Sequence, residues 1–345
     1  MRIIVTGSQG KVGSTTAAHF AAAGHDVIGV DLVVRAASAR PLRAPPPLPS
    51  PSQPTPATQR GVYDAPVAGG GFPATYIQAD LEDAGAVFAV VARFKPDAIV
   101  HVAAIPDPCH NPPHIVFRNN IMSTFNVIEA AQKLGVPRLV NISSEHVPGF
   151  FSSPGCDPWG SVREAGVAGL PAYAPVDEAH PVAPQNPYAL AKSFGEQLCD
   201  AAVRRAGQAL GVVSIRPSWC QDARNAERNL GPFIRDPALA NDGLWSYICI
   251  PDLADAIVLA ATLPLPGLAG AHEVLYIAAE DNIGGRDFAA AMARAFPSVP
   301  LRQPLPRPDC SGLACGKARA LLGWAPKLTW RDYVDGEGRL LAKHK

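Results

Sequence analysis

Ile3-Ile4-Val5-Thr6-Gly7-Ser8-Gln9-Gly10-Lys11-Val12-Gly13, then the alanine-rich run Ser14–Ala23, then Val27-Ile28-Gly29-Val30-Asp31, is the stretch on which the fold turns. An apolar triplet enters a glycine-spaced turn, a helix follows, and a second apolar run closes the unit. Strand, helix and strand within about 30 residues form the βαβ unit of a parallel sheet. The alternation resumes at Thr75-Tyr76-Ile77, with a helix at Ala84–Phe94, a strand at Ala98–Val102 and a helix at Val116–Leu134. A strand at Arg138–Ile142, a helix at Tyr188–Arg205 and a strand at Gly211–Ile215 continue it. Repeated units of this kind predict an α/β protein with a doubly wound parallel sheet. Helices at Asp252–Leu263, Ala289–Ala295 and Ala314–Leu322 then predict a smaller C-terminal lobe against the carboxyl ends of the strands.

The turn has the spacing Thr-Gly-x-x-Gly-x-x-Gly. Its glycines permit a tight bend, close approach of backbone to a pyrophosphate, and close packing of helix on strand. The following helix presents unpaired N–H groups to an anion. Gly7, Gln9, Gly10, Lys11, Val12 and Gly13 are therefore candidate dinucleotide-binding residues. Asp31, at the end of the second strand, is placed to accept the ribose hydroxyls of NAD; capping a helix is its competing role. Lys11 could instead attract a 2′-phosphate, which keeps NADP as the alternative cofactor.

Composition narrows the partners. Thirty Lys and Arg balance thirty Asp and Glu over 345 residues, so no basic surface calls for nucleic acid or an anionic membrane. No apolar run reaches the roughly 18–20 residues of a membrane helix, and no secretory signal is read at the start. The expected location is cytoplasmic. Seven cysteines, at 109, 156, 199, 220, 249, 310 and 315, are odd in number and scattered. They read as reduced thiols, and no metal site is expected. Residues 35–74 change abruptly to Pro, Ala, Ser and Gly without hydrophobic period, which predicts a disordered surface insertion; a polyproline ligand for a partner domain is the alternative.

Tyr188-Ala189-Leu190-Ala191-Lys192 puts a phenol and an ammonium on one helix face. A free phenol, with pKa near 10, is a poor base at neutral pH. A neighbouring ammonium and a cationic nicotinamide both favour the phenolate. Ser143-Ser144, ending the preceding strand, can supply a hydroxyl beside it. The long Pro- and Gly-rich loop from Phe150 to Pro187 follows that strand, a common place for function.

Taken together these motifs resemble the extended short-chain dehydrogenase/reductase superfamily, the NAD-dependent epimerase/dehydratase group, over nearly the whole chain apart from the proline-rich insertion. Further matches are Ala79-Asp80-Leu81, His101-Val102-Ala103-Ala104, Asn120, Arg216-Pro217, Tyr247-Ile248 to Ala256, and Leu322-Gly323-Trp324-x-Pro326. The resemblance implies a Rossmann-type NAD(P)-binding domain over residues 1–215. Residues 216–345 would be mostly substrate lobe, with elements returning to the first domain. It implies that Ser144 orients a substrate oxygen, Tyr188 is the acid/base and Lys192 also holds the nicotinamide ribose. Asp80, Leu81, Val102, Ala103, Ala104, Asn120, Ile142, Arg216 and Pro217 would complete the cofactor site. A homodimer is the assembly the family suggests.

Departures from the family narrow the expected substrate. After Ser144 the nucleotide-sugar members run on to Val-Tyr-Gly; here the residues are Glu145-His146-Val147-Pro148-Gly149. The Asp-Glu pair of the dehydratases is absent there. The segment from Arg216-Pro217 to Tyr247 is short, and Trp245-Ser246 stands where those members have Arg-Asp. Ser143 to Phe150 looks more like uronate dehydrogenase and its small-sugar relatives, which implicates Glu145, His146, Ser218, Arg224 and Arg228 in substrate binding. A locally bonded loop histidine and two solvated arginines are the plain alternatives. The expected activity is hydride transfer between nicotinamide and a small hydroxyl or carbonyl compound, a sugar or sugar acid. A nucleotide-sugar epimerase and a non-catalytic NAD(P) sensor are the other readings.

Overall fold

The computed structural model describes residues 1–33, 75–106, 111–150, 169–262, 264 and 268–344, and the backbone of 63–65. Seven parallel strands run through it: β1 (Arg2–Thr6), β2 (Asp26–Asp31), β4 (Thr75–Gln78), β5 (Ala98–His101), β6 (Arg138–Ile142), β7 (Gly211–Pro217) and β10 (His272–Ile277). Their order is β10-β7-β6-β5-β1-β2-β4, and β3 (Tyr63–Ala65) adds an antiparallel edge beside β4. That short strand lies inside the stretch expected to be disordered; the rest of the stretch lies outside the described residues. Cys109 and Cys156 also lie outside them, and the other five cysteines are free thiols.

Strand periodicity sorts the core. Ile3 and Val5 point to one face with Val100, Val140, Val213 and Ile215, under α1 (Lys11–Ala22) and α6 (Ile250–Thr262). Ile4 points to the other face with Ile28, Ile99 and Leu139, under α2 (Ala84–Phe94), α3 (Pro113–Lys133) and α4 (Pro187–Ala206). Alternate residues on opposite faces, both buried, are what a parallel sheet covered on two sides requires. Asp83 caps α2 by accepting from the Gly85 and Ala86 amides, and Asn186 caps α4 at the Ala189 amide. Pro187 follows at the first helical position, where its missing N–H costs nothing.

The strand order reverses about β1, which has β2 on one side and β5 on the other. Thr6 stands opposite His101 in that register, so the glycine turn and the residues after β5 open into one crevice. Such switch points are where doubly wound sheets take ligands. A smaller lobe has its own core of Trp245, Tyr247, Phe288, Phe296, Trp330 and neighbours. It is built from β8 (Cys220–Gln221), α5 (Ala226–Arg235), β9 (Ile248–Cys249), α7 (Phe288–Ala295) and the loops between them. From the later part of the chain α6, β10 and α8 (Gly316–Leu322) return to the sheet layers. Among the described residues no helix is long and apolar enough to cross a membrane.

Candidate active site

The glycine turn cannot be built from other residues. Gly7 sits at φ +66°, and a Cβ there would lie 2.8 Å from the Ala103 backbone. A Cβ on Gly13 would lie 2.0 Å from the Gly7 carbonyl oxygen. Both therefore serve close backbone approach. Gly10 caps α1 with no side chain, and among the described residues no side chain caps the first amides of that helix. Asp31 is held ready beside them: the Gln9 amide donates to its Oδ2 at 2.8 Å and the Val33 amide to its Oδ1 at 3.4 Å. Lys11 is exposed, and Val12 packs partly into the core. An open cradle backed by a fixed carboxylate fits the pyrophosphate and ribose of a dinucleotide.

Beneath the cradle runs a directed hydrogen-bond chain. The amides of Val102 and Ala103 donate to Thr6 Oγ1 at 3.1 and 3.2 Å, so the Thr6 hydroxyl proton is left for His101 Nδ1 at 2.9 Å. His101 Nε2–H then donates to Thr124 Oγ1 at 3.1 Å, and Thr124 donates to the Asn120 carbonyl at 2.7 Å. Burial, with Lys192 nearby, pulls the imidazole down to about 3, so the ring is neutral and keeps one tautomer. Asn120 clasps Ile105 by both backbone groups, at 2.7 and 3.0 Å. Val102, Ala103 and Ala104 are held between these two anchors. Asp80 is half-buried and accepts from the Glu82 amide at 2.9 Å, next to the buried Leu81.

The proposed catalytic groups converge past the end of β6. Tyr188 is 8% exposed. The Lys192 ammonium lies 5.9 Å from its ring centroid and donates to the Ile142 carbonyl at 2.6 Å. Burial brings that ammonium down to about 8, with Glu196 opposing. Ser144 Oγ accepts from the His146 amide at 3.1 Å, which leaves its proton to donate elsewhere. The His146 ring stands edge-on to Tyr188, centroids 5.7 Å apart at 89°. Burial pushes that imidazole down to about 4, so it meets the phenol uncharged.

Glu145 and Ser218 also meet, across the ends of β6 and β7. Ser218 donates to Glu145 Oε2 at 2.7 Å, and the Glu145 amide to the Pro217 carbonyl at 3.3 Å. Burial raises the Glu145 carboxyl to about 8, the Ser218 bond opposing. A folded-state pKa above the unfolded one means the folded state binds more protons in between. Stability associated with Glu145 is thus present at low pH and falls as pH rises from about 4.5 to about 8. Glu145→Gln, which still accepts from Ser218, is expected to match the parent Tm near pH 4 and exceed it increasingly toward pH 8. Melting curves across that range check this; a constant offset would mean that folding leaves the Glu145 pKa unshifted.

Arg224 and Arg228 do not join this group through their own bonds. Both are exposed; Arg224 pairs with Asp222 and Arg228 Nε donates to Asn229 at 3.3 Å. Arg216 turns inward: it forks onto Glu196 and reaches the Tyr276 hydroxyl at 3.3 Å. Glu196 is missing from the sequence-derived set, although it follows Lys192 by one helical step on the same face. Thr6 and Thr124 are missing too, since nothing in their local pattern announces the histidine between them.

The NAD dependent epimerase/dehydratase family model matches residues 3–272. UDP-glucose 4-epimerase of Mycolicibacterium smegmatis is 26% identical, with 97% of this chain and 96% of that enzyme covered. Uronate dehydrogenase of Agrobacterium fabrum is 31% identical over a shorter span, 40% of this chain and 44% of that enzyme. A short-chain dehydrogenase/reductase superfamily protein from Agrobacterium tumefaciens, solved with bound NAD, shares the fold at a TM-score of 0.62 and 22% identity, covering 96% of this chain and 94% of its own. With the glycine cradle, the His101 chain and the Ser-Tyr-Lys cluster gathered around the carboxyl ends of the central strands β1, β5 and β6, the chain belongs to the NAD-dependent epimerase/dehydratase family, and is an enzyme of the extended short-chain dehydrogenase/reductase type.

Proposed function

We propose that the protein is an NAD-dependent dehydrogenase or reductase acting on a small hydroxyl or carbonyl compound, a sugar or sugar acid. Trp245 carries this choice. It stands where nucleotide-sugar members of the family have a diphosphate-binding arginine, and here it is fully buried. Its indole N–H donates to the Leu239 carbonyl at 3.0 Å, and its ring packs on Phe288 and Phe296 under Arg286. Leu244 and Trp245 both take positive φ, +53° and +55°, a cost of about 1–3 kcal/mol each that only a tightly packed turn sustains. A side chain so anchored serves the lobe's core and leaves the diphosphate without that contact.

In the oxidative direction Tyr188, as phenolate, takes the proton of the substrate hydroxyl. Ser144 donates to the same oxygen, and Lys192 stabilises the phenolate charge. Bound NAD supplies acceptance of the hydride. Residues of the glycine turn, Asp31, Asp80, Leu81, Val102–Ala104, Asn120, Ile142, Lys192, Arg216 and Pro217 form the proposed cofactor site, with NADP as the lesser alternative because Asp31 repels a 2′-phosphate. Glu145, His146 and Ser218 line the substrate side, with Arg224 and Arg228 as the candidates to hold a carboxylate. Residues 1–215 would then bind cofactor and most of 216–345 would shape the substrate side. A homodimer and a cytoplasmic location belong to the same proposal; Met122 and Phe125 on α3 and Phe194 on α4 leave exposed apolar side chains that suit a second copy.

A nucleotide-sugar epimerase is the second reading, favoured by similarity to UDP-glucose 4-epimerase along the full chain. Losing a charge-assisted contact to diphosphate costs about 1.5–3 kcal/mol. UDP titrated by calorimetry into the NAD-loaded protein is therefore expected to bind weakly, while a panel of aldoses, uronates and aldehydes yields absorbance at 340 nm with NAD. Micromolar UDP binding with a silent panel would overturn the small-substrate proposal in favour of the epimerase.

A further inference from the structure

Tyr188, Lys192 and Glu196 follow one another at four-residue spacing along α4, on one face. Glu196 is 7% exposed, a place where a carboxylate is costly unless well partnered. Its partners are complete. Arg216 Nε donates to Oε1 at 2.8 Å and Arg216 Nη2 to Oε2 at 2.7 Å, while Ser143 Oγ donates to Oε1 at 2.5 Å. Arg216 also reaches the Tyr276 hydroxyl of β10. One carboxylate thus ties α4 to β6 and β7, and through Arg216 to β10. Ser143 lies between Ile142, whose carbonyl receives the Lys192 ammonium, and Ser144.

We propose that Glu196 is a positioning residue of the active site, locking the Tyr188–Lys192 face of α4 against the end of β6, with Arg216 neutralising its charge so that Lys192 faces a balanced pair rather than a lone anion or a lone cation. This rests on Tyr188 and Lys192 being the acid/base pair. Lys192 is faced by Tyr188 and Glu196 on its own helix, by His101 of β5, by the Ile142 carbonyl of β6 and, through Glu196, by Arg216 of β7. From α3 the uncharged Thr124 meets α4 at Gly195, and Glu129 of α3 is engaged by Arg205 near the far end of α4. The neutral His101 adds no charge. Glu196 is therefore the charge that bears on the ammonium directly, against the cost of burial, and Arg216 acts on it through Glu196.

The signs follow. Glu196→Gln removes the anion and leaves Arg216 uncompensated, so Lys192 loses its proton at lower pH. Arg216→Gln leaves the anion alone, so Lys192 keeps its proton to higher pH. Removing both returns it toward the parent value. Lysine side-chain carbon NMR on protein labelled with 13C-lysine, with the resonance assigned by Lys192→Gln, reads this midpoint without any substrate. Shifts of about one pH unit, down for Glu196→Gln and up for Arg216→Gln, with the double variant between them, are expected. Weaker NAD binding by calorimetry should accompany both single variants. Unmoved midpoints in folded variants, or both single variants moving the same way, would overturn the proposal and leave the pair a structural tie. Because the two single variants shift in opposite directions, one that fails to fold still leaves the other and the double variant to decide. Full activity in Tyr188→Phe would instead remove the acid/base assignment; its loss, with unmoved Lys192 midpoints, would sink the Glu196 proposal alone.

Discussion

Tyr188→Phe is expected to reduce turnover by about two to four orders of magnitude, the usual worth of a positioned acid or base, while NAD affinity and Tm stay close to the parent. The change removes one oxygen and keeps the ring that packs edge-on against His146 and beneath the Lys192 ammonium. A loss of packing would appear in the melting curve; a loss of proton transfer appears only in the rate. Steady-state rates on whichever compound in the panel reduces NAD, beside calorimetry with NAD, separate the two. Turnover near the parent value would end the proposed mechanism.

Gly13→Ala is expected to impair folding and cofactor binding together. The added Cβ would sit 2.0 Å from the Gly7 carbonyl oxygen and 2.7 Å from its carbon, and both obstacles are backbone. Overpacking costs about 1–3 kcal/mol where side chains can yield, so a collision with backbone belongs at or beyond the upper end. Relief requires the turn to move, and the turn carries the amides proposed to hold the pyrophosphate. Each lost charge-assisted bond is worth about 1.5–3 kcal/mol, about tenfold or more in affinity. Gly316→Ala is the matched control, since a Cβ there meets nothing within 4 Å. Melting curves and NAD titration of the two variants should diverge widely; similar behaviour would show that the turn does not need this contact.

The glycine turn was legible because its demands are local. Positive φ at Gly7 and the close crossing of Gly13 both arise within a few residues, and spacing alone announces them. The pairing of Tyr188 with Lys192 was legible for the same reason, since a helix puts every fourth residue on one face. Beyond that spacing the sequence is silent. His272–Ile277 did not read as a strand, because its partner is β7, far back in the chain, and its membership of the sheet is decided by pairing alone. Trp245 could be aligned with a missing arginine, yet its place in the lobe's core came only with the structure.

Sequence by itself determined the class of fold, the order of its units, the glycine turn proposed as the cofactor cradle and the spacing of the phenol and ammonium, all through periodicity and turn chemistry acting over a few residues. Tertiary structure decided which charges balance each other. Glu196 and Arg216 are 20 residues apart in the chain, and Glu145 and Ser218 are 73 apart. They meet because β6 and β7 end side by side beneath α4. Burial then fixes protonation: His101 and His146 are held neutral, and the Glu145 carboxyl is raised to about 8. Desolvation and long-range pairing are properties of the folded interior, and no residue spacing encodes them.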